Sequence, residues 1–345
     1  MRIVHLLWGL TFGGIETMVI NIANEQSRAG HEVTLVTVDR DIDPRLAADV
    51  APSVGLRCAG RPKRSHNPWY LLRLNWIMRQ LDADFVHFHG VNLPRLVRGK
   101  YVRRWCTTHH TTWRSDLARF FTDDLHLVAI SGKAAEDLRA HANVHPEVVV
   151  NGIATGEYLR REVSSPATPL RIVQVGRLNF AIKGQDITLD AVRTLKARGI
   201  GVHVDFIGDG EAHEAMARLI AELGLENEVT MHGSLPQEFL KAHLKDYDLL
   251  VQPSRIEGFG LTVAEAMAAR VPVAVADLPP LLEVIDGGNC GLSFHADDAA
   301  DLARAIEQSA TDYDLQRVGR AAERVGRLYD VSATAQAYLR LYEKF

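Results

Sequence analysis

The sequence predicts an α/β protein of two doubly wound, Rossmann-like domains facing one another across a cleft. Three observations predict it. Short apolar runs alternate with helical patterns along the whole chain, as repeated βαβ units and parallel sheets require. At Ser164-Ser165-Pro166-Ala167-Thr168-Pro169, two prolines among small polar residues break the alternation and read as a linker. The alternation then restarts, and 345 residues are enough for two separate cores. The expected domains are residues 1–163 and 164–331, with a tail helix over 332–345.

Taken in order, Ile3-Val4-His5-Leu6-Leu7 is the first strand. Ile15, Met18, Val19, Ile22 and Ala23 fall at helical spacing, and Glu32–Thr37 is the next strand. Phe85–Phe88, Trp105–Thr108, Leu127–Ile130 and Val148–Val150 supply further short strands. After the linker come a strand over Arg171–Val175 and a helix carrying Ile187, Ala191, Val192 and Leu195. A strand at Val204–Ile207 and a helix marked by Met216, Leu219, Ile220 and Leu223 follow. Leu249-Leu250-Val251 is a buried strand, a helix starts near Thr262, and Val271–Val275 is another strand. In the tail, Tyr338, Leu341, Tyr342 and Phe345 share one helical face, with Ser332 as the N-cap.

Composition narrows the function classes. An apolar share of 47% with 24% charged residues is that of a globular protein. No apolar run approaches the ~20 residues that span a bilayer. MRIVHLLWGL has neither the basic region nor the cleavage site of a signal peptide and reads as a first strand. Cys58, Cys106 and Cys290 are too far apart for a metal pattern or a disulfide framework, which fits a reducing cytoplasm. Residues 1–165 carry 21 Lys+Arg against 17 Asp+Glu, and the remainder 18 against 26. The basic excess gathers in Arg57, Arg61, Lys63 and Arg64 and in Arg95, Arg98, Lys100, Arg103 and Arg104. Two readings stand: a solvated face, or a surface for an anionic acceptor or the inner face of an anionic membrane. No nucleic-acid module accompanies these cations, so nucleic acid is not an expected partner.

The stretch Ser254–Arg270, SRIEGFGLTVAEAMAAR, carries the strongest chemical signal. Strand, glycine turn and helix present backbone N–H groups to a phosphate. Gly258 and Gly260 let the backbone approach a ligand closely. Glu257 and Glu265 flank the turn and suit hydroxyl groups, because an ionised carboxylate only accepts hydrogen bonds. Phosphate donors beside hydroxyl acceptors describe a nucleotide sugar. Thr262-x-x-Glu265 is equally a capping box, which needs no ligand.

Other motifs point the same way. Trp8-Gly9-Leu10-Thr11-Phe12-Gly13-Gly14 is neither a dinucleotide fingerprint nor a P-loop; it is a tight turn or a backbone anion site. Gly176-Arg177 follows a strand, and Lys183-Gly184 comes soon after. They are surface cations, or they neutralise a diphosphate as it leaves. His87-Phe88-His89 ends a strand, so both imidazoles point to one side, and Thr108-His109-His110 ends another. A metal pair is the alternative for the first two, but no third ligand stands at useful spacing.

These residues resemble the retaining glycosyltransferases of family 4. Glu257 and Glu265 enclose seven residues beginning GFGL, and GGIET…RAGHEVTLVT resembles the family's opening. The resemblance covers nearly the whole chain, with motifs in the family's order. It implies the GT-B fold and metal-independent transfer from a nucleotide sugar, with no resident cofactor. In the family, Arg177, Lys183, Glu257 and His89 occupy catalytic positions, and Gly13 and Gly14 match the donor-phosphate loop. Here Arg177 and Lys183 stand one residue further apart than in the commonest form. Gly208 and Asp209 border the nucleotide, Leu235 belongs to the segment whose backbone meets the base, and Gly258, Phe259, Gly260, Leu261 and Thr262 line the diphosphate. Glu265 matches the ribose ligand, Glu257 the sugar ligand, and His87 and His109 face the acceptor or cleft. The second domain would hold a UDP- or GDP-sugar and the first a saccharide or lipid-linked acceptor, as in bacterial surface polysaccharide or glycolipid synthesis. In that fold a C-terminal helix packs back on the first domain. An epimerase or a phosphorylase of the same fold, or a non-catalytic nucleotide-sugar binder, is the rival; a phosphorylase would need a pyridoxal phosphate lysine and a longer chain.

Overall fold

In a parallel sheet covered on both faces, strands read as near-continuous apolar runs, and this chain supplies them. The computed structural model describes all residues except Phe12, Asp123, Asp124, Val163 and Ser164. The first residue of the predicted linker, Ser164, thus lies outside the described residues, as does Phe12 of the first turn.

The first unit contains Met1–Ala154 and Tyr329–Phe345. In chain order its elements are β1 (Arg2–Leu7), α1 (Gly14–Arg28), β2 (Glu32–Asp39), α2 (Pro44–Ala48), β3 (Gly55–Arg61) and α3 (Trp69–Leu81). Next come β4 (Phe85–Phe88), β5 (Trp105–His109), β6 (Leu127–Ala129), α4 (Gly132–Ala142) and β7 (Glu147–Val148). The seven strands lie in the order β3-β2-β1-β4-β5-β6-β7, all parallel. The chain winds outward from β1 to β3, then restarts on the other side of β1 with β4.

The second unit is Thr155–Leu328. It holds β8 (Leu170–Val175), α5 (Phe180–Lys183), α6 (Gln185–Ala197), β9 (Val202–Ile207), α7 (His213–Glu222), β10 (Val229–Gly233) and α8 (Gln237–His243). Then follow β11 (Leu249–Gln252), α9 (Leu261–Ala268), β12 (Val273–Ala276), α10 (Pro279–Val284), β13 (Leu292–Phe294), α11 (Ala299–Thr311) and α12 (Leu315–Leu328). Its order, β10-β9-β8-β11-β12-β13, is again all parallel, with the reversal between β8 and β11.

The units change over at Ala154, upstream of the sequence-based boundary at 163. Residues after 154 are tied to the second unit: the Leu159 N–H donates to Lys241 O at 2.9 Å, and the Arg161 N–H to Ala269 O at 2.8 Å. The buried Arg161 guanidinium also pairs with Asp248.

The last helix, α13 (Val331–Lys344), belongs to the first unit. Its N-cap is Asp330, not Ser332; the Asp330 carboxylate accepts the Ser332 N–H at 2.9 Å. An acidic cap also suits the positive helix end. Val331, Ala335, Tyr338, Leu341 and Tyr342 pack with Met18, Val19, Ile22 and Ala23 of α1 in one buried core. Tyr342 stacks on Phe85 with ring centroids 4.1 Å apart. A buried Val or Leu contributes about 1.5–3 kcal/mol, so Val331 and Leu341 alone make α13 integral to the unit. Among the described residues no helix is long and apolar enough to cross a membrane.

Candidate active site

In doubly wound sheets a ligand crevice opens beyond the strand carboxyl ends, where the winding reverses. In the second unit that point lies between β8 and β11. Lys183 follows β8 and Glu257 follows β11, and the Lys183 Nζ donates to Glu257 Oε2 at 2.7 Å. The carboxylate is further held by Gln252 Nε2 at 3.2 Å and the Ser254 hydroxyl at 3.3 Å. Lys183 is aimed by backbone geometry. Gly184 follows it with φ 64°, and a Cβ there would run into the Pro253 carbonyl. The pair is thus positioned by the ends of two adjacent strands.

Arg177 stands apart from that pair. Its Nε donates to Glu211 Oε2 at 3.1 Å, and its side chain is 74% exposed. Asn179 holds the other carboxylate oxygen of Glu211. Gly208 has φ 140°, and a Cβ on it would overlap the Gly176 carbonyl; that turn brings Gly208 and Asp209 beside Gly176. Asp209 is exposed and accepts the Gly210 N–H at 2.8 Å. Leu235 is half-buried in the connection between β10 and α8.

The capping-box alternative is not built. Gly260 (φ 104°) is the N-cap of α9, and the Thr262 hydroxyl donates to Gln252 Oε1 at 3.0 Å. Leu261 opens that helix, while Gly258 and Phe259 are buried in the turn before it. Glu265 faces away from the cap, where Gln237 Nε2 donates to it at 2.9 Å. Burial raises its pKa to about 7, against the opposing hydrogen bonds from Tyr158 and Gln237.

At the first unit's reversal, between β1 and β4, lies a buried histidine network. The register sets His5 beside His87. The His5 Nε2–H donates to Gln26 Oε1 at 2.8 Å, leaving its Nδ1 to accept from His89 Nε2 at 2.9 Å. The His89 Nδ1 must then accept from His110 Nε2, at 3.1 Å. The relay ends at His110 Nδ1, which is buried and has no partner among the described residues. His87 lies between the Tyr342 and Thr108 hydroxyls, each 2.7 Å away. Burial holds these imidazoles neutral: His5 is lowered to about 4 and His110 to about 3, with His87 and His89 well below their usual value.

Several sequence readings shift here. His89 has no ring nitrogen left for a ligand, and His109 Nε2 is engaged with Thr112 O at 3.0 Å. The open nitrogen belongs to His110 instead. His5 supplies the third imidazole that spacing alone did not reveal; ligand-capable nitrogens of His5, His87 and His89 lie within 4.8 Å of one another. Gly13 is the N-cap of α1, and Gly14 its first residue. Glu16 Oε2 lies 2.5 Å from where a Cβ on Gly13 would stand, so a carboxyl group folds over that helix end. Burial raises the Glu16 pKa to about 7.

Two family models match. Residues 12–157 match Glycosyltransferase Family 4 and residues 157–325 match Glycosyl transferases group 1. WcaL of Escherichia coli (strain K12), named as a colanic acid biosynthesis glycosyltransferase, is 32% identical over 69% of this chain. The match spans 58% of that relative's length, and 60% for its Salmonella typhimurium counterpart. The GDP-mannose:cellobiosyl-diphosphopolyprenol alpha-mannosyltransferase of Xanthomonas oryzae pv. oryzae is 27% identical, over 93% of this chain and 92% of its own. Among solved structures, Anabaena Alr3699/HepE in complex with UDP and glucose aligns with a TM-score of 0.82 at 18% identity, covering both chains fully. WaaG, a glycosyltransferase involved in lipopolysaccharide biosynthesis, gives 0.76 at 16% over 99% of each chain. These likenesses establish the GT-B fold.

Proposed function

The chain belongs to the family 4 glycosyltransferases, and on that premise we propose that it moves a sugar from a nucleotide diphosphate to an acceptor hydroxyl with retention of anomeric configuration. The observation that carries this reading is the Lys183–Glu257 pair at the reversal of the second sheet. Without donor, each group neutralises the other. With donor, the ammonium turns to the diphosphate, while the carboxylate keeps Gln252 and Ser254 and accepts from sugar hydroxyls. The sugar C1–O bond to phosphate breaks and a C1–O bond to the acceptor forms. A fixed cation at the leaving oxygen stabilises charge that appears only as the bond breaks, so it lowers the barrier rather than merely tightening binding.

Arg177 is the second cation in this reading, released from Glu211 when the diphosphate arrives. Glu265 takes the ribose hydroxyls, and the turn Gly258–Thr262 takes phosphate oxygens through its backbone. Gly208, Asp209 and Leu235 complete the second unit's donor contacts, and Gly13 and Gly14 offer the first unit's helix N-terminus to a phosphate. The first unit is assigned the acceptor. His110 Nδ1, a bare neutral acceptor, takes a hydrogen bond from a hydroxyl of the acceptor other than the one that reacts. With a pKa near 3 it is a poor base, so it orients the acceptor and takes no proton, and the reacting hydroxyl gives its proton to the departing diphosphate. Gln26, His5 and His89 fix the tautomer and orientation of His110, and the His87 ring packs against His89.

Support for the substrate class comes from the relatives' names: a GDP-mannose transferase acting on a polyprenyl-diphosphate saccharide, and a neighbour holding UDP and glucose. The donor is therefore a UDP- or GDP-sugar, and the acceptor a saccharide or lipid-linked saccharide in surface polysaccharide or glycolipid synthesis. No metal or resident cofactor enters this scheme. Thermal-shift screening against UDP- and GDP-sugars, followed by NMR of the anomeric proton in the first product formed, tests it. A ligand that binds only the folded state raises Tm. Inversion at C1, or isomerisation of the donor sugar with no acceptor consumed, would overturn the reading.

A further inference from the structure

Helix α3 is apolar on two opposite faces. Leu74, Ile77 and Met78 are buried in the first unit's core. Trp69, Leu72 and Trp76, spaced i, i+3 and i+7, form an outward stripe and are 52%, 59% and 57% exposed. A helix on a protein surface ordinarily presents polar residues there, and contiguous exposed apolar area marks an interaction surface.

The charge around this stripe is one-sided. Between Asp49 and Asp82 the chain carries six cations and no carboxylate. Two of them, Arg73 and Arg79, lie on the helix, and the Arg73 guanidinium sits 5.6 Å from the Trp69 ring centroid. The Arg98 N–H donates to Asn75 Oδ1 at 2.7 Å, which brings the exposed stretch from Arg98 to Lys100 alongside the helix. Tryptophan rings favour the boundary between headgroups and acyl chains, and arginine stems lie along apolar surface while their heads reach phosphate. Apolar anchors on an exposed helix, with cations beside them and the carboxylate Asp82 at the helix end paired with Arg2 and Arg103, fit a flat anionic surface.

We propose that α3 docks in the plane of an anionic lipid surface, with Trp69, Leu72 and Trp76 inserted among the lipids and Arg73, Arg79, Arg98 and Lys100 against their phosphates. This surface is independent of the catalytic reading and can fail without it. The test uses the full chain with vesicles of phosphatidylcholine alone or mixed with phosphatidylglycerol, followed by tryptophan emission, quenching by acyl-brominated lipid, and co-sedimentation. The expected result is a blue shift and quenching on the anionic vesicles only, weakened by 0.5 M salt (roughly 4 Å screening length at that strength). Trp69→Ser with Trp76→Ser, and separately Arg73→Glu with Arg79→Glu, should each lower the partition coefficient at least tenfold, with unchanged circular dichroism and unchanged donor hydrolysis. Equal binding to neutral vesicles, no binding, or variants that bind like the wild type would overturn the proposal. So would a dimer in sedimentation that the tryptophan variant abolishes without any vesicle binding, since the occupant would then be a second copy.

Discussion

The two sheets reverse their winding at equivalent places but put opposite chemistry there. Between β1 and β4 stand imidazoles that burial keeps uncharged, linked by one directional chain of hydrogen bonds. Between β8 and β11 stand an ammonium and a carboxylate in direct contact. On the proposed reading, the difference teaches that one architecture can serve two tasks. A neutral acceptor suits a hydroxyl, which brings no charge. A separable ion pair suits a diphosphate and a sugar, because each half already has the polarity one ligand group needs.

The largest effect should come from the charged side. Lys183→Ala should lower kcat by about 10²–10³ (roughly 2.7–4 kcal/mol of transition-state stabilisation), measured as transfer or donor hydrolysis. A variant with wild-type turnover would remove the reason for pairing the two sheets' roles. Next, His110→Phe should reduce kcat/KM for the acceptor by about tenfold while donor affinity stays put, as expected for one lost hydrogen bond. Nitrogen-edited NMR offers an independent check: His5, His89 and His110 should all appear as Nε2–H tautomers, with His110 Nδ1 unprotonated.

The pH responses should also differ in sign. Glu265 is raised to about 7, so the ligand-free second unit is favoured in acid and loses that contribution as pH rises from about 4.5 through 7. Ribose hydroxyls favour the ionised carboxylate, so donor affinity should rise about tenfold between pH 6 and 8 and release a proton, by titration calorimetry in buffers of different ionisation enthalpy. Glu265→Gln should flatten that rise. The histidines are depressed, so their contribution to the first unit is present above about pH 6.5 and lost as pH falls through their folded values, starting with His5 near 4. Glu16, raised to about 7 in the same unit, acts in the opposite sense, but four lowered histidines outnumber the two raised carboxyls Glu16 and Glu265, so denaturant midpoints at pH 7, 6 and 5 should decline. The smallest effect is on stability in Arg177→Ala: an exposed pair with Glu211 should leave Tm unchanged although turnover drops.

Much of this was legible because parallel strands are locally encoded. Ile3–Leu7 and Leu249–Val251 are short, largely apolar runs of the length and composition that a strand buried on both faces requires. β3 was not, since GLRCAGR carries two glycines and two arginines and pairs only with β2 at a sheet edge. α3 escaped for the opposite reason: it is apolar nearly all round, so no single face stands out. The glutamates were readable from a local spacing. His5 was not, because its partners lie 82 and 84 residues away and meet it only through sheet register. His110 was named with its strand, but a bare nitrogen becomes visible only once every other nitrogen in the network has been assigned.

The return of α13 to the first unit carries a consequence for synthesis. Tyr338 and Tyr342, which close the histidine network through Thr108 and His87, are translated after all of Thr155–Leu328. At roughly 5–20 residues per second, the earlier half of the protein waits some 10–35 s on the ribosome for its missing wall. The later-encoded half can thus finish first, and the exposed face of α1 is where a nascent chain would need a chaperone.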